Sequence, residues 1–377
     1  MSIADGTLRR ELSIPLPTLQ ELLAMTRRIS FCAVAFLALA MAGTPASRSF
    51  AEGTSYTITS FSDLEKINAI GDSTYQPSAL QVYVAGVVIN NPGDMLDSAY
   101  VNSGPDVVNR GWQVFIQALP AGTYTHGTTT ITAPAGDFGG TAVYMGLADW
   151  SAGTYPPPAL YAKDVWDAKV QAANYPTGSN GNALKYGDVV LVQANAPGMF
   201  YNGKYNINEQ HSGDPTKTFA ITILERGATP AVTPIDLAAV KHSDGSFIFD
   251  ATQATGAEHY QGSLVKLTGV TLDGGVASLA NDAMYTIHQN VGGKDYTFDM
   301  LLGLDNDLTK FSLADLKKGF DVTGILDQDD GDKPYTGGYR LWVTNASEIK
   351  PVPEPGTVAL LATGLAALGR GWFRRKR

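Results

Sequence analysis

The stretch Val82-Tyr83-Val84-Ala85-Gly86-Val87 returns 183 residues later as Val265-Lys266-Leu267-Thr268-Gly269-Val270. Both are β-branched runs broken by a central glycine. Such runs read as strands, and a glycine inside one marks a sharp bend or a close backbone approach. A small barrel needs that bend in its first strand. Two further echoes follow in order. Gly187-Asp188-Val189-Val190 parallels Gly319-Phe320-Asp321-Val322, and Tyr201-Asn202-Gly203-Lys204-Tyr205 parallels Tyr335-Thr336-Gly337-Gly338-Tyr339. The first glycine pair is 183 residues apart and the second 132, so the first half carries about 51 extra residues, mostly between Asn91 and Asn182.

The rest of the body reads the same way. Strands are expected at 79–90, 112–119, 141–147, 188–194, 204–208 and 219–224, then at 264–272, 284–289, 296–302, 320–326 and 339–344. In the second of these, Trp112, Val114 and Ile116 alternate with Gln113, Phe115 and Gln117. Three helices are expected: one opening at Ser62 with Glu65 reaching back, one over Lys163 to Ala173 with Val165, Trp166 and Val170 on one side, and one capped by Ser312. Pro230 and Pro234 fall in a linker, because proline fixes φ and interrupts strand or helix. The fold class is therefore all-β with minor helix. It comprises one domain over 56–228 with a long insertion, a linker over 229–234 and a second domain over 235–350.

The two ends are of another kind. Residues 1–24 hold Asp5, Glu11, Glu21 and two prolines, and read as a mis-assigned start. From Met25 an Arg27-Arg28 pair precedes an apolar run and then small residues, so 25–51 reads as a signal peptide with its helix, cut after Ala51 or Ala42. Cys32, the sole cysteine, lies inside that apolar run. The mature chain would then have no disulfide and no thiolate chemistry.

Charge narrows the partners. The chain carries 27 Lys+Arg and 36 Asp+Glu. Residues 1–51 take five and three of these and residues 351–377 five and one, which leaves 17 and 32 for the body, a net charge of −15. Such a surface stays soluble and repels polyanions.

The last residues have three parts: Pro353-Glu354-Pro355, an uncharged apolar run from Gly356 to Leu368, and a basic cluster of Arg370, Arg374, Arg375, Lys376 and Arg377. As a helix, Gly356 to Phe373 would extend about 27 Å, close to a hydrocarbon core, with the basic end on the cytoplasmic side. This layout resembles the PEP-CTERM sorting tail of Gram-negative bacteria. The resemblance implies a transmembrane helix and an exosortase-type protease that cuts near Pro353-Glu354-Pro355. It also implies a precursor held transiently in the inner membrane after signal peptidase has acted, and then delivery to the cell surface or extracellular matrix. For the body, the order of a strand with Gly86, the Trp112 strand, Gly140 to Tyr144, Gly187 to Val190 and Tyr201-Asn202-Gly203 is similar to OB-fold domains. In particular it resembles the tandem OB-like modules of secreted bacterial nucleases, and Tyr260 to Val265 fits the start of the second module. That implies two tandem OB-like β-barrels; no nuclease domain accompanies them.

Catalytic signatures do not surface. His126, His211, His242, His259 and His288 are scattered without metal-ligand spacing, and neither a Gly-x-Ser-x-Gly elbow nor a P-loop occurs. No cofactor is expected, with one exception. Asp327, Asp329, Asp330 and Asp332 place hard oxygens in one loop, a candidate Ca²⁺ site, whose plain alternative is a solvated hairpin turn. Tyr144, Trp150, Tyr155, Tyr161 and Trp166 form a candidate ligand surface, because exposed aromatics stack on sugars and bases. The charge disfavours nucleic acid and leaves an extracellular polysaccharide as the better partner. The expected function is a non-enzymatic surface or matrix component linked to exopolysaccharide and biofilm. The alternatives are an extracellular nucleic-acid-binding OB protein and a hydrolase whose site carries no signature, for which two carboxylates converging in a cleft would be the sign.

Overall fold

The computed structural model describes residues 56–75, 81–102, 110–149, 159–195, 199–209 and 218–352. The expected leader helix and the expected transmembrane helix of the tail lie outside these residues. No helix among the described residues is long and apolar enough to cross a membrane.

The first half runs α1 (Phe61–Leu64), β1 (Val82–Val88), β2 (Gly111–Ala118), β3 (Gly122–His126), β4 (Thr129–Ala133), β5 (Gly140–Gly146), β6 (Ala148–Asp149), β7 (Ala159–Leu160), α2 (Lys163–Asn174), β8 (Val189–Ala194), β9 (Met199–Tyr201), β10 (Lys204–Asn208) and β11 (Phe219–Glu225). The second runs β12 (Thr233–Pro234), α3 (Gly256–Tyr260), β13 (Leu264–Leu272), β14 (Met284–Val291), β15 (Lys294–Leu302), α4 (Leu313–Lys318), β16 (Phe320–Gln328), β17 (Tyr339–Val343) and β18 (Ile349–Pro351).

In the second half β13-β14-β15-β17-β16 closes on itself, since β13 pairs with both β14 and β16. β15 and β17 are parallel and the other ring pairs antiparallel. With α4 between the third and fourth strands, this is a closed five-stranded OB-like barrel. The first half repeats the order as β8-β1-β2-β5-β10, again with one parallel pair, β5 and β10. Here the ring is open among the described residues. β8 pairs with β11, and β10 pairs with β9 in a hairpin. The extra length of this half sits in the β1–β2 connection, the β3–β4 hairpin and the β6–α2 excursion.

The echoed glycines prove to have different reasons. A Cβ on Gly86 would meet the Gln117 carbonyl at 2.8 Å and the ring of Phe61 at 3.0 Å, so crowding excludes a side chain. Gly269 has open space around it but φ +63, and the β13–β16 register shifts between Leu267 and Val270. It is a bulge glycine, chosen for its dihedral. The expected cap of the first helix is also displaced. Ser60, not Ser62, accepts from the Asp63 amide. Glu65 does not reach back; it is buried and accepts from the Tyr205 amide at 2.8 Å. In α2, Trp166 is fully buried and Val170 half-buried, but Val165 is 43 % exposed, one position off the buried face. Ser312 caps α4 as expected.

Each barrel has its own core, around Trp112, Val114 and Ile116 in the first and Leu267, Phe298 and Leu341 in the second. A third cluster joins them: Ala85, Val87, Phe115, Ala142 and Leu191 pack on Leu264, Leu301, Ile325 and Trp342. Fully burying a large apolar side chain is worth about 1.5–3 kcal/mol, so this seam is strongly favourable. Gln113, Phe115 and Gln117 alternate as a solvent face would, yet all three are buried.

Candidate functional site

OB proteins use the outer face of their second and third strands, with the adjoining loops, to hold polymers. In the first barrel that face is covered. Gln117 donates to the Ala231 carbonyl at 2.8 Å and accepts from the Leu264 amide at 3.0 Å, and the Gly140 amide donates to the Gln261 carbonyl at 2.9 Å. In the second barrel the face is open and acidic. Asp299 lies opposite Thr286 and Asp295 opposite Asn290. His288 stands between Asp295 (2.8 Å) and Asp273 (3.4 Å). The hydrogen bond to Asp295 raises its pKa above the ordinary histidine value, against some burial. The two carboxyls sit on opposite ring nitrogens, which is a clamp and not a converging ligand set.

The acidic loop after β16 is occupied by the other barrel. The β9–β10 hairpin inserts Asn202, Gly203 and Lys204 into it. Lys204 is ion-paired with the fully buried Asp327, and its ammonium also donates to the Gln328 carbonyl at 2.6 Å. Arg340 donates to Asp327 at 2.8 and 3.0 Å and lies 2.8 Å from Asp329. Asn202 donates to Asp329 at 2.6 Å. Asp330 accepts from the Gly337 amide at 2.9 Å, and Asp332 is exposed. Burial works against ionising Asp329, but Arg340, Asn202 and Lys204 leave its pKa below the usual value. Asp327 and Asp329 thus face protein cations. Among the described residues no group of three His, Cys, Asp or Glu is arranged to hold a metal ion.

Of the candidate aromatic surface, Trp150 and Tyr155 lie outside the described residues. Tyr161 stacks on Trp166 at 6.1 Å, the Lys169 ammonium sits 4.8 Å from the Tyr161 ring, and Lys169 is ion-paired with buried Glu209. Trp166 is at 0 % exposure and donates to the Ser98 carbonyl at 2.7 Å. Burial pushes the Tyr144 phenol well above its ordinary pKa. Tyr161 and Trp166 pack together at α2, and Tyr144 lies on β5.

What the sequence reading did not single out is a groove of about 400 Å³ between the barrels. Asn90, Asn91, Asp94 and Tyr186 form one wall, Leu264, Thr323, Thr344, Asn345, Ser347, Glu348 and Lys350 the other, and Val232 of the linker also lines it. Asn90 accepts from the Phe115 amide at 2.6 Å, and Asn91 accepts from the Tyr186 amide at 3.0 Å. The Leu304 amide donates to the Asp94 carbonyl at 2.7 Å, which ties the walls together. Two carboxyls line this groove. Burial pushes Glu348 up to about 7, against hydrogen bonds from the Asn345 and Thr344 amides, and the charge of Asp94 adds to the rise. Burial likewise raises Asp94, against two hydrogen bonds from Asn91. Glu348 completes a capping box with Asn345, and that Asn-x-x-Glu spacing was legible in the sequence. The groove was not, because its residues come from four connections and three strands far apart in the chain.

Fold and strand order define a protein of two tandem OB-like barrels welded along one seam. Residues 351–377 carry the family described as the PEP-CTERM protein-sorting motif. The motif supports an exported, membrane-transiting precursor sorted by an exosortase. No curated protein matches the chain. Among solved structures it is similar to one described as "Structure and Conformational Change of a Replication Protein A Heterotrimer Bound to ssDNA". Identity is 12 %, the TM-score is 0.24, and the match covers 82 % of this chain and 55 % of that one. The chain therefore spans about half the length of that solved chain, and a score at this level carries no weight for function. The likeness to nuclease-associated modules rests on motif order alone.

Proposed function

We propose that this chain is a non-catalytic component of the cell surface or extracellular matrix, an exported two-barrel body delivered by its C-terminal tag. The observation that carries the reading is where the last described strand lies. β18 pairs Pro351 with Phe320, the Val352 amide donates to the Gly319 carbonyl at 3.0 Å, and Pro353-Glu354-Pro355 follows at once. The described barrel strands all precede this signature, so a cut at or after it removes none of them. Cell fractionation of a Pro353→Ala/Glu354→Ala/Pro355→Ala variant tests this. The variant accumulates in the inner membrane while the parent reaches the surface; equal surface amounts would refute it.

One observation favours a second reading. Asp94 and Glu348 are two carboxyls lining one groove, and a glycoside hydrolase needs a pair, one held protonated and one ionised. Each is already engaged by backbone amides of its own turn, which favours a structural role. Release of reducing ends from a polysaccharide, abolished by Glu348→Gln, would establish the hydrolase instead.

A further inference from the structure

The groove between the barrels is lined by polar and apolar groups together. Thr323, Ser347, Lys350 and Glu348 line it, and so does Tyr186, which is 40 % exposed. This mixture of donors and acceptors suits a ligand that offers many hydroxyls. Apolar contact comes from Val232, Leu264 and the Tyr186 ring, which suits the apolar face of a sugar ring. A polyanion would meet two carboxyls and a body of net charge −15. A cation would meet Lys350 beside carboxyls that already accept from backbone amides. The volume, about 400 Å³, falls within the ~300–1,000 Å³ of small-molecule sites. Both walls are fixed by the shared core and by the Leu304–Asp94 bond, so little ordering is lost on binding.

We propose that this groove binds an uncharged oligosaccharide, with one sugar ring stacked on Tyr186 and its hydroxyls paired to Thr323, Ser347 and Lys350. The inference deepens the reading of the body as a binding component and does not depend on the sorting tail. Lys350 lies three residues before Pro353, so the sugar would be held at the end of the body from which the tag departs.

Affinity electrophoresis and calorimetry on the full chain in detergent test it, with maltohexaose, cellohexaose and mannohexaose as probes. Hexagalacturonate and an oligothymidylate serve as charged controls. At least one neutral hexasaccharide binds. Tyr186→Ala weakens it about five- to tenfold, the loss of one ring-stacking contact, and Ser347→Trp, which fills the groove, abolishes it. Thermal unfolding checks that both variants remain folded. The proposal is overturned if no neutral hexasaccharide binds at about 10 mM. It is equally overturned if both folded variants bind as the parent does, or if a charged control binds in preference. Because retention is measured on unprocessed protein, a failed sorting experiment leaves this result untouched, and the reverse holds as well.

Discussion

Raising the pH from 5 to 9 should loosen the body, and two buried carboxyls on the seam set the size of the effect. Glu65 follows α1 and faces the Tyr205 amide, Thr141, Lys204 and Glu258. Glu258, on α3, faces Tyr339, Asp250 and Glu65; its other oxygen has no hydrogen-bond partner. Burial pushes each up to about 8, against an ordinary value of 4.5. Folded protein therefore keeps two protons that unfolded protein has lost over this window. A pKa raised on folding gives stability that is full below pH 4.5 and is lost as pH climbs to about 8. At about 1.4 kcal/mol per unit, each carboxyl removes roughly 4–5 kcal/mol across that range. His288, also raised, acts in the same direction, and Glu348, raised to about 7, adds to the fall. Urea unfolding of the purified protein at a series of pH values reads the slope. Glu65→Gln and Glu258→Gln each keep a neutral, hydrogen-bonding side chain of the same shape. Each should match the parent near pH 5 and exceed it in stability at pH 9. A flat or rising parent curve, or Gln variants weaker than the parent at pH 9, would refute the assignment of these carboxyls as protonated seam groups.

Three further outcomes follow from the seam. Asp327→Asn leaves Lys204 and Arg340 facing a neutral partner in a buried site and should lower stability by about 3–5 kcal/mol in the same urea assay, with a smaller loss pointing to water entering the loop. Gly140→Ala places a methyl group on the Gly262 carbonyl, so the barrels must part there. Limited proteolysis should then cut near 229–234 faster than in the parent, whereas unchanged cutting would mean that the seam absorbs the methyl. Millimolar Ca²⁺ should give no binding heat and no rise in melting temperature, because Asp327 and Asp329 already have cationic partners; a clear rise would restore that loop as a metal site.

The strands were legible because their β-branched runs leave little alternative, and the three echoed motifs fall on equivalent elements. Gly86 and Gly269 lie on the first strand of each barrel, Gly187 and Gly319 just precede the fourth, and Tyr205 and Tyr339 lie at the start of the fifth. The seam was hidden because polar Gln113 and Gln117 alternate with Trp112 and Val114 as a solvent face does. Their amides are instead satisfied inside the protein, Gln117 by the linker and by the second barrel. Alternation reports two environments, not which of them is water. Ser60 and Ser62 are equally good caps by residue type, and only the fold decides between them. The acidic loop read as a cation site because its partners, Lys204 and Arg340, lie 123 and 13 residues from Asp327. Groove residues Tyr186, Thr323 and Glu348 share no local pattern at all.

The central claim is that the sorting tail, from Pro353-Glu354-Pro355 onward, is a removable address on a self-sufficient folded body. Intact-mass measurement of the protein, recovered from cells with and without the sorting protease, tests it most directly. With the protease, the surface fraction should carry a C-terminus close to Pro353-Glu354-Pro355; without it, the chain should stay in the membrane with Arg377 intact. Surface protein that retains Arg377 in both backgrounds would contradict the account.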